Sequence, residues 1–183
     1  MCDLNMKQEI LKNLPRGTIF EYTGQRWIVL EHNLSGTTLC LSETIIENQP
    51  FDEKDDNNWA KSSSYKYLNN SFLNRLIETV GVNNAFQETE IDLTTDDGLK
   101  DYGVCKATIF LLTADQYRRN RDVIPNADNW WWLSTAFSTI SNGYKHFACR
   151  VRANGTLSRI CASYSSRGLR PACMISSDLK LEV

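Results

Sequence analysis

Apolar side chains recur at three- and four-residue steps over one long stretch, Tyr65, Leu68, Phe72, Leu76 and Val80, with Asn69, Asn70, Asn74, Arg75 and Glu78 on the opposite side. That spacing predicts an amphipathic helix capped by Ser62 or Ser63 and ended at Gly81. A shorter helix is predicted where Thr113-Ala114-Asp115-Gln116 carries the T-x-x-Q spacing of a capping box, running through Arg121. Elsewhere the period is that of strands. Runs 18–22, 26–30 and 38–42 are divided by Thr23-Gly24-Gln25 and Ser35-Gly36, and 87–93 and 104–112 flank Asp96-Asp97-Gly98. An aromatic strand follows at 130–133, then a hairpin, 147–152 with 156–162, about Asn154-Gly155, and a last strand at 169–175. The start, ending at Leu14-Pro15-Arg16-Gly17, reads as a short helix or arm. Asp52 to Asn58 reads as a solvated loop that lacks the alternating oxygens and central glycine of a calcium loop. The sum is an α+β chain with two main helices and mixed or antiparallel sheets: an arm at 1–15 and one domain at 16–183.

A chain of 183 residues, 42% of them hydrophobic, can bury a core without disulfide or metal staples. Its longest apolar run, residues 107–112, falls far short of the ~20 that a membrane span needs. Met1-Cys2-Asp3-Leu4 shows no basic leader, so a soluble, cytoplasmic protein is expected, with no membrane partner. Charge is uneven. Residues 1–101 hold 9 basic and 17 acidic side chains, a net of −8, whereas 102–183 hold 11 and 5, a net of +6. Either the halves mix in one fold and their fields cancel, or the split marks a polyanion-binding half or an acidic face for a basic protein.

Five short motifs occur in order: Trp27-Ile28-Val29-Leu30; Trp59 and Ser62 followed by Tyr67-Leu68-Asn69 and Phe72; Phe110-Leu111-Leu112-Thr113; Trp131-Trp132-Leu133; and Gly168-Leu169-Arg170-Pro171-Ala172. Together they resemble an uncharacterised domain family of Firmicutes and their phages. That family is related to C-type-lectin-like and formylglycine-generating-enzyme-like folds, including the variable proteins of diversity-generating retroelements. The likeness spans about residues 16–176, departing where Ser134 follows Leu133 in place of an arginine and at Ser64 and Tyr65. It implies a single C-type-lectin-like domain that displays its ligand contacts on C-terminal loops, at Trp130, Ser138, Asn142, Tyr144, His146 and Tyr164. Those loops are rich in Ser, Tyr and Asn, a paratope-like chemistry, although ordinary hydrophilic loops share it.

The residues themselves assign architecture to Trp27, Trp59, Phe72, Trp131 and Trp132, which have the size to fill a core. Gly168 suits a tight bend before a strand, and Arg170 beside Pro171 implies a buried guanidinium held by a carboxylate or carbonyls. A two-residue turn at Asn154-Gly155 places Arg150, Arg152 and Arg159 on one face with Arg167 nearby. That stripe can grip phosphate or an acidic protein surface, or simply be a solvated sheet face. The same turn sets Cys149 against Ile160, while a three-residue loop sets it against Cys161. Two histidines and six cysteines without a CxxC supply no metal centre, and no cofactor is expected. The expectation is a non-enzymatic module for a protein ligand, ahead of a glycan, bound through the C-terminal Ser/Tyr/Asn-rich loops. The alternatives are a nucleic-acid binder, an anti-CRISPR-like inhibitor of a host nuclease acting through Asp52, Glu53, Asp55 and Asp56, and a cysteine-dependent oxidase using Cys149 with Cys161 or Cys161 with Cys173.

Overall fold

The computed structural model describes residues 8–81 and 84–182. Its strands are, in chain order, β1 (Gln8–Ile10), β2 (Ile19–Tyr22), β3 (Gln25–His32), β4 (Thr37–Ser42), β5 (Glu47–Asn48), β6 (Phe86–Gln87), β7 (Thr89–Asp92) and β8 (Val104–Ala107). There follow β9 (Ile109–Leu111), β10 (Trp131–Ala136), β11 (Phe147–Val151), β12 (Leu157–Cys161), β13 (Gly168–Leu169), β14 (Pro171–Ser176) and β15 (Lys180–Glu182). One sheet has the order β2-β3-β4-β14, with β6 and β9 both paired to the remaining edge of β14. A second has the order β12-β11-β10-β13-β5, where β10 and β13 run parallel. The pairs β1-β15 and β7-β8 stand apart.

Among the described residues one main helix accompanies the sheets, α1 over residues 63–78, made of Ser63–Tyr67, a π turn at Leu68–Phe72, and Leu73–Glu78. Ser62 Oγ caps it, accepting from the Tyr65 N–H at 3.0 Å. Leu68, Phe72 and Leu76 are buried as the periodicity implies, whereas Val80 is exposed. Asn69, expected on the wet side, instead clamps the helix to the main sheet. Its Nδ2 donates to Tyr65 O and Ile109 O (3.1 and 2.8 Å), and its Oδ1 accepts from the N–H groups of Thr108 and Ile109. The second helix, α2 (Ala114–Arg119), has six residues and the full Thr113–Gln116 capping box.

Of the expected N-terminal arm, residues 1–7 lie outside the described residues. Residues 8–13 are β1 and a single 3-10 turn, Leu11–Asn13, and Leu11 is fully buried. The core is aromatic. Trp27, Trp59, Trp131 and Trp132 are closed off from solvent, and Phe51 joins two of them with ring centroids 5.8 Å from Trp59 and 5.9 Å from Trp132. Arg170 is enclosed beside Trp131 and donates to three carbonyls: Nε to Ser42 O, Nη1 to Pro125 O and Nη2 to Glu43 O, at 2.9–3.0 Å. Its carbonyl partners match one of the two holders that the sequence left open.

Gly168 makes no tight bend. It sits inside β13, and a Cβ there would lie 2.5 Å from Ile45 Cγ2, so glycine is required by close approach. Gly168→Ala is therefore expected to cost about 1–3 kcal/mol by overpacking. Urea unfolding checks this, and an unchanged midpoint would contradict the packing.

Candidate functional site

The candidate binding residues lie on the second sheet and the loops that leave it. The β11–β12 loop has three residues, Ala153-Asn154-Gly155: the Arg152 N–H donates to Thr156 O and the Gly155 N–H to Arg152 O, both at 2.8 Å. Gly155 has φ +82°, the left-handed residue that closes such a loop. The sequence reading with two loop residues is thus corrected, and one extra residue turns β12 over. Arg150 now opposes Ser158, Cys149 opposes Arg159 and Phe147 opposes Cys161. Arg159 consequently leaves the face of Arg150 and Arg152, so the expected stripe is broken. Cys149 and Cys161 are diagonal neighbours on one face, not directly opposed, and both thiols are free. The loop is pinned to α2, where Tyr117 Oη donates to Gly155 O at 2.7 Å.

The face of Arg150 and Arg152 gathers a different cluster. The guanidinium carbons of Arg150, Arg167 and Arg152 lie 3.7, 4.7 and 5.2 Å from the centroid of the Trp130 ring, and Arg167 also lies 4.7 Å from that of Tyr164. Trp130 is half-buried and Tyr164 exposed. Arg152 donates to Ser158 Oγ and Arg167 to the carbonyl and hydroxyl of Ser166, at 3.2–3.3 Å. Arg150 is only 5% exposed, and its Nε and Nη1, like the Nε of Arg167, are sealed from solvent without an acceptor. Burial, aided by the like charges of Arg167 and Arg152, pushes Arg150 down to about 10.

The opposite face of the hairpin carries Arg159, stacked 3.7 Å from the Phe137 centroid, with Tyr144 and Phe147 around the same ring. An open groove of about 470 Å³ runs there past Asp96, Ala114, Phe137, Cys149 and Leu157. Burial above all pushes the Cys149 thiol up to about 12, which keeps it protonated and a poor nucleophile. Cys40 and Cys173 face each other across β4 and β14, both fully buried and both raised for the same reason. The α2 arginines Arg118 and Arg119 are ion-paired with Asp96, Asp115 and Glu31, and Arg121, just beyond the helix, donates to Ile124 O and Asn126 Oδ1.

The remaining loop candidates divide. Ser138 is buried, its hydroxyl accepting from Asn142 Nδ2 at 3.1 Å, so it presents nothing outward. Asn142, Tyr144 and His146 are exposed, and His146 Nδ1 lies 2.9 Å from Asp55 Oδ2. They belong to a loop held from below by residues that sequence reasoning assigned to solvent. Asn57 is fully buried. Its Nδ2 donates to Ser138 O, Tyr144 O and Phe147 O at 2.8–2.9 Å, and its Oδ1 accepts from Tyr102 Oη at 2.7 Å. Asp52 is also buried and accepts from the N–H groups of Lys54, Asp56 and Ser63. Asp55 accepts from the Ser163 N–H, and Asp56 from that of Asn58. The density of Asp and Asn was the available signal: such side chains organise turns by bonding nearby backbone. Among the described residues no group of three or more His, Cys, Asp or Glu is gathered as a metal site requires, and no helix is long and apolar enough to cross a membrane.

The family model described as Domain of unknown function (DUF6273) matches residues 35–177. The match takes in four of the five motifs and leaves Trp27–Leu30 outside. No curated protein and no solved structure matches the chain.

Two outcomes follow from this geometry. Asn57→Ala leaves the Ser138 and Tyr144 carbonyls without that donor and Tyr102 Oη without its acceptor, while Phe147 O keeps the Phe137 N–H. It is expected to cost about 2–4 kcal/mol, read as a lowered urea midpoint, and a change below the error of the fit would remove Asn57 from its supporting role. In native protein at pH 8, iodoacetamide is expected to spare Cys40, Cys149 and Cys173 until urea is added, as mass spectrometry of the peptides will report. Rapid, selective alkylation of Cys149 would instead mark it as a reactive thiol.

Proposed function

The chain belongs to the DUF6273 family, and we propose that its domain is a non-enzymatic binding module that holds a protein ligand at the Trp130–Tyr164 patch. The observation that carries this reading is the joining of one tryptophan, one tyrosine and three arginines from separate segments on one side of the β11–β12 hairpin. Trp, Tyr and Arg are the side chains that dominate protein–protein affinity. Arg150 stands on a strand and Trp130 immediately precedes one, so the anchors are rigid. The same five motifs support a C-type-lectin-like frame: their tryptophans, Phe72 and Arg170 are enclosed and leave the loops to meet a partner.

Tyr144 packs on Phe137 with Arg159 on the opposite face of the hairpin, and His146 pairs with Asp55, so neither is part of this contact area. A glycan is the lesser alternative, served by the rings of Trp130 and Tyr164. The oxidase reading draws no support from Cys149, whose thiol is held protonated. The phage-encoded inhibitor reading draws none from Asp52, Asp55 and Asp56, whose oxygens organise their own loop.

The test is retention of host proteins on the immobilised chain, compared with a Trp130→Ala/Tyr164→Ala double variant of equal thermal stability. A protein partner retained by the wild type is expected to be lost from the double variant. Equal retention by both would move the binding face elsewhere.

A further inference from the structure

The chain contains its own standard for how a guanidinium is buried. Arg170 is completely enclosed, and each of its three nitrogens donates to a backbone carbonyl. Four other arginines find carboxylates: Arg16 with Asp122, Arg26 with Glu43, Arg118 with Asp96 and Asp115, and Arg119 with Glu31. Arg150 does neither. It is 95% withdrawn from solvent, two of its nitrogens have no acceptor, and the nearest charges are the two further cations over the same indole ring. Among the described residues none of the three arginines forms an ion pair. Stacking on Trp130 compensates part of the lost hydration, but it satisfies no N–H group, because those point outward in the guanidinium plane.

Three converging cations describe half of a site, and the missing half is an oxyanion; Nε and Nη1 of Arg150 are sealed, so Arg150 would meet it through Nη2 and its charge. A carboxylate brings one negative charge and two oxygens. A phosphate monoester brings close to two charges and three terminal oxygens, which suits three guanidiniums better. We propose that Arg150, Arg152 and Arg167, on the floor made by Trp130, are the receptor for a phosphoryl group carried by the protein ligand. The inference rests on the binding reading above, and adds that the partner is recognised in its phosphorylated state. Tyr164, exposed beside Arg167, then packs against the residue bearing the phosphate.

Inorganic phosphate is the probe, titrated at fixed ionic strength by calorimetry and thermal unfolding, with acetate and a single-stranded thymidine oligonucleotide as comparators. Saturable binding of phosphate, with acetate at least about tenfold weaker, is expected. Arg150→Met should abolish the response, and Arg167→Ala and Arg152→Ala should weaken it. In phosphate-free buffer Arg150→Met should melt at or above the wild-type temperature, because an uncompensated buried cation is replaced by an apolar chain of similar length. A structural arginine would give the reverse, a lower melting temperature. An unaltered phosphate isotherm in Arg150→Met, or tighter binding of the oligonucleotide than of phosphate, would overturn the proposal. Partner capture that depends on Trp130 and Tyr164 but ignores added phosphate would overturn this inference alone. Phosphate bound as described beside unchanged capture by the Trp130→Ala/Tyr164→Ala variant would instead overturn the protein-binding reading.

Discussion

A guanidinium leaves water only when other oxygens replace those it gives up, and the fold meets that constraint at Arg170 and not at Arg150. Around Arg170, β4 and its following turn, the 125 carbonyl and the Trp131 ring converge so that β14 can enter the core carrying a charge. Around Arg150 the chain provides an aromatic floor and two more cations. The two arginines lie on neighbouring elements of one architecture, with Trp130 and Trp131 consecutive in sequence. A fold able to satisfy one guanidinium so completely leaves the other open, and that contrast organises the functional reading.

The rest of the structure keeps the open site in place. The hairpin that carries Arg150 and Arg152 is fixed at its tip, where Tyr117 of α2 holds the Gly155 carbonyl. At its other end the loop leading into β11 is held by Asn57, whose single carboxamide serves three carbonyls. Gly168 lets β13 pass close under Ile45 beside β10, and its N–H donates to Trp130 O at 2.8 Å. Thus the Asp- and Asn-rich loop, the short helix α2 and the Gly-Arg-Pro segment all act on one patch, though none supplies the side chains proposed to bind.

Elements governed by local chemistry were legible in the sequence. The Ser62 cap, the Thr113–Gln116 box, the strands β2 to β4 and the apolar seam of Leu68, Phe72 and Leu76 all follow from periodicity and capping. Arg150 and Arg152 share a face because strands alternate, and that too was readable. What failed depended on parity or on tertiary partners. One extra residue in the β11–β12 loop reversed Arg159, since a single step of register exchanges the faces of a strand. Asn69 and Asn57 looked solvated because a carboxamide that bonds distant backbone has the same sequence signature as one that bonds water. The grouping of Arg167 and Tyr164 with Trp130 joins segments more than thirty residues apart, which no local pattern reports.

The central claim is that Arg150 is buried for an oxyanion that the chain does not itself provide. A crystal of the protein soaked in tungstate, a tetrahedral dianion with a strong anomalous signal, examines that directly. The account predicts one dominant anomalous peak beside Trp130, within hydrogen-bonding reach of Arg150 and Arg167. A map without a peak there, or one in which a carboxylate of the chain occupies the position, would contradict it.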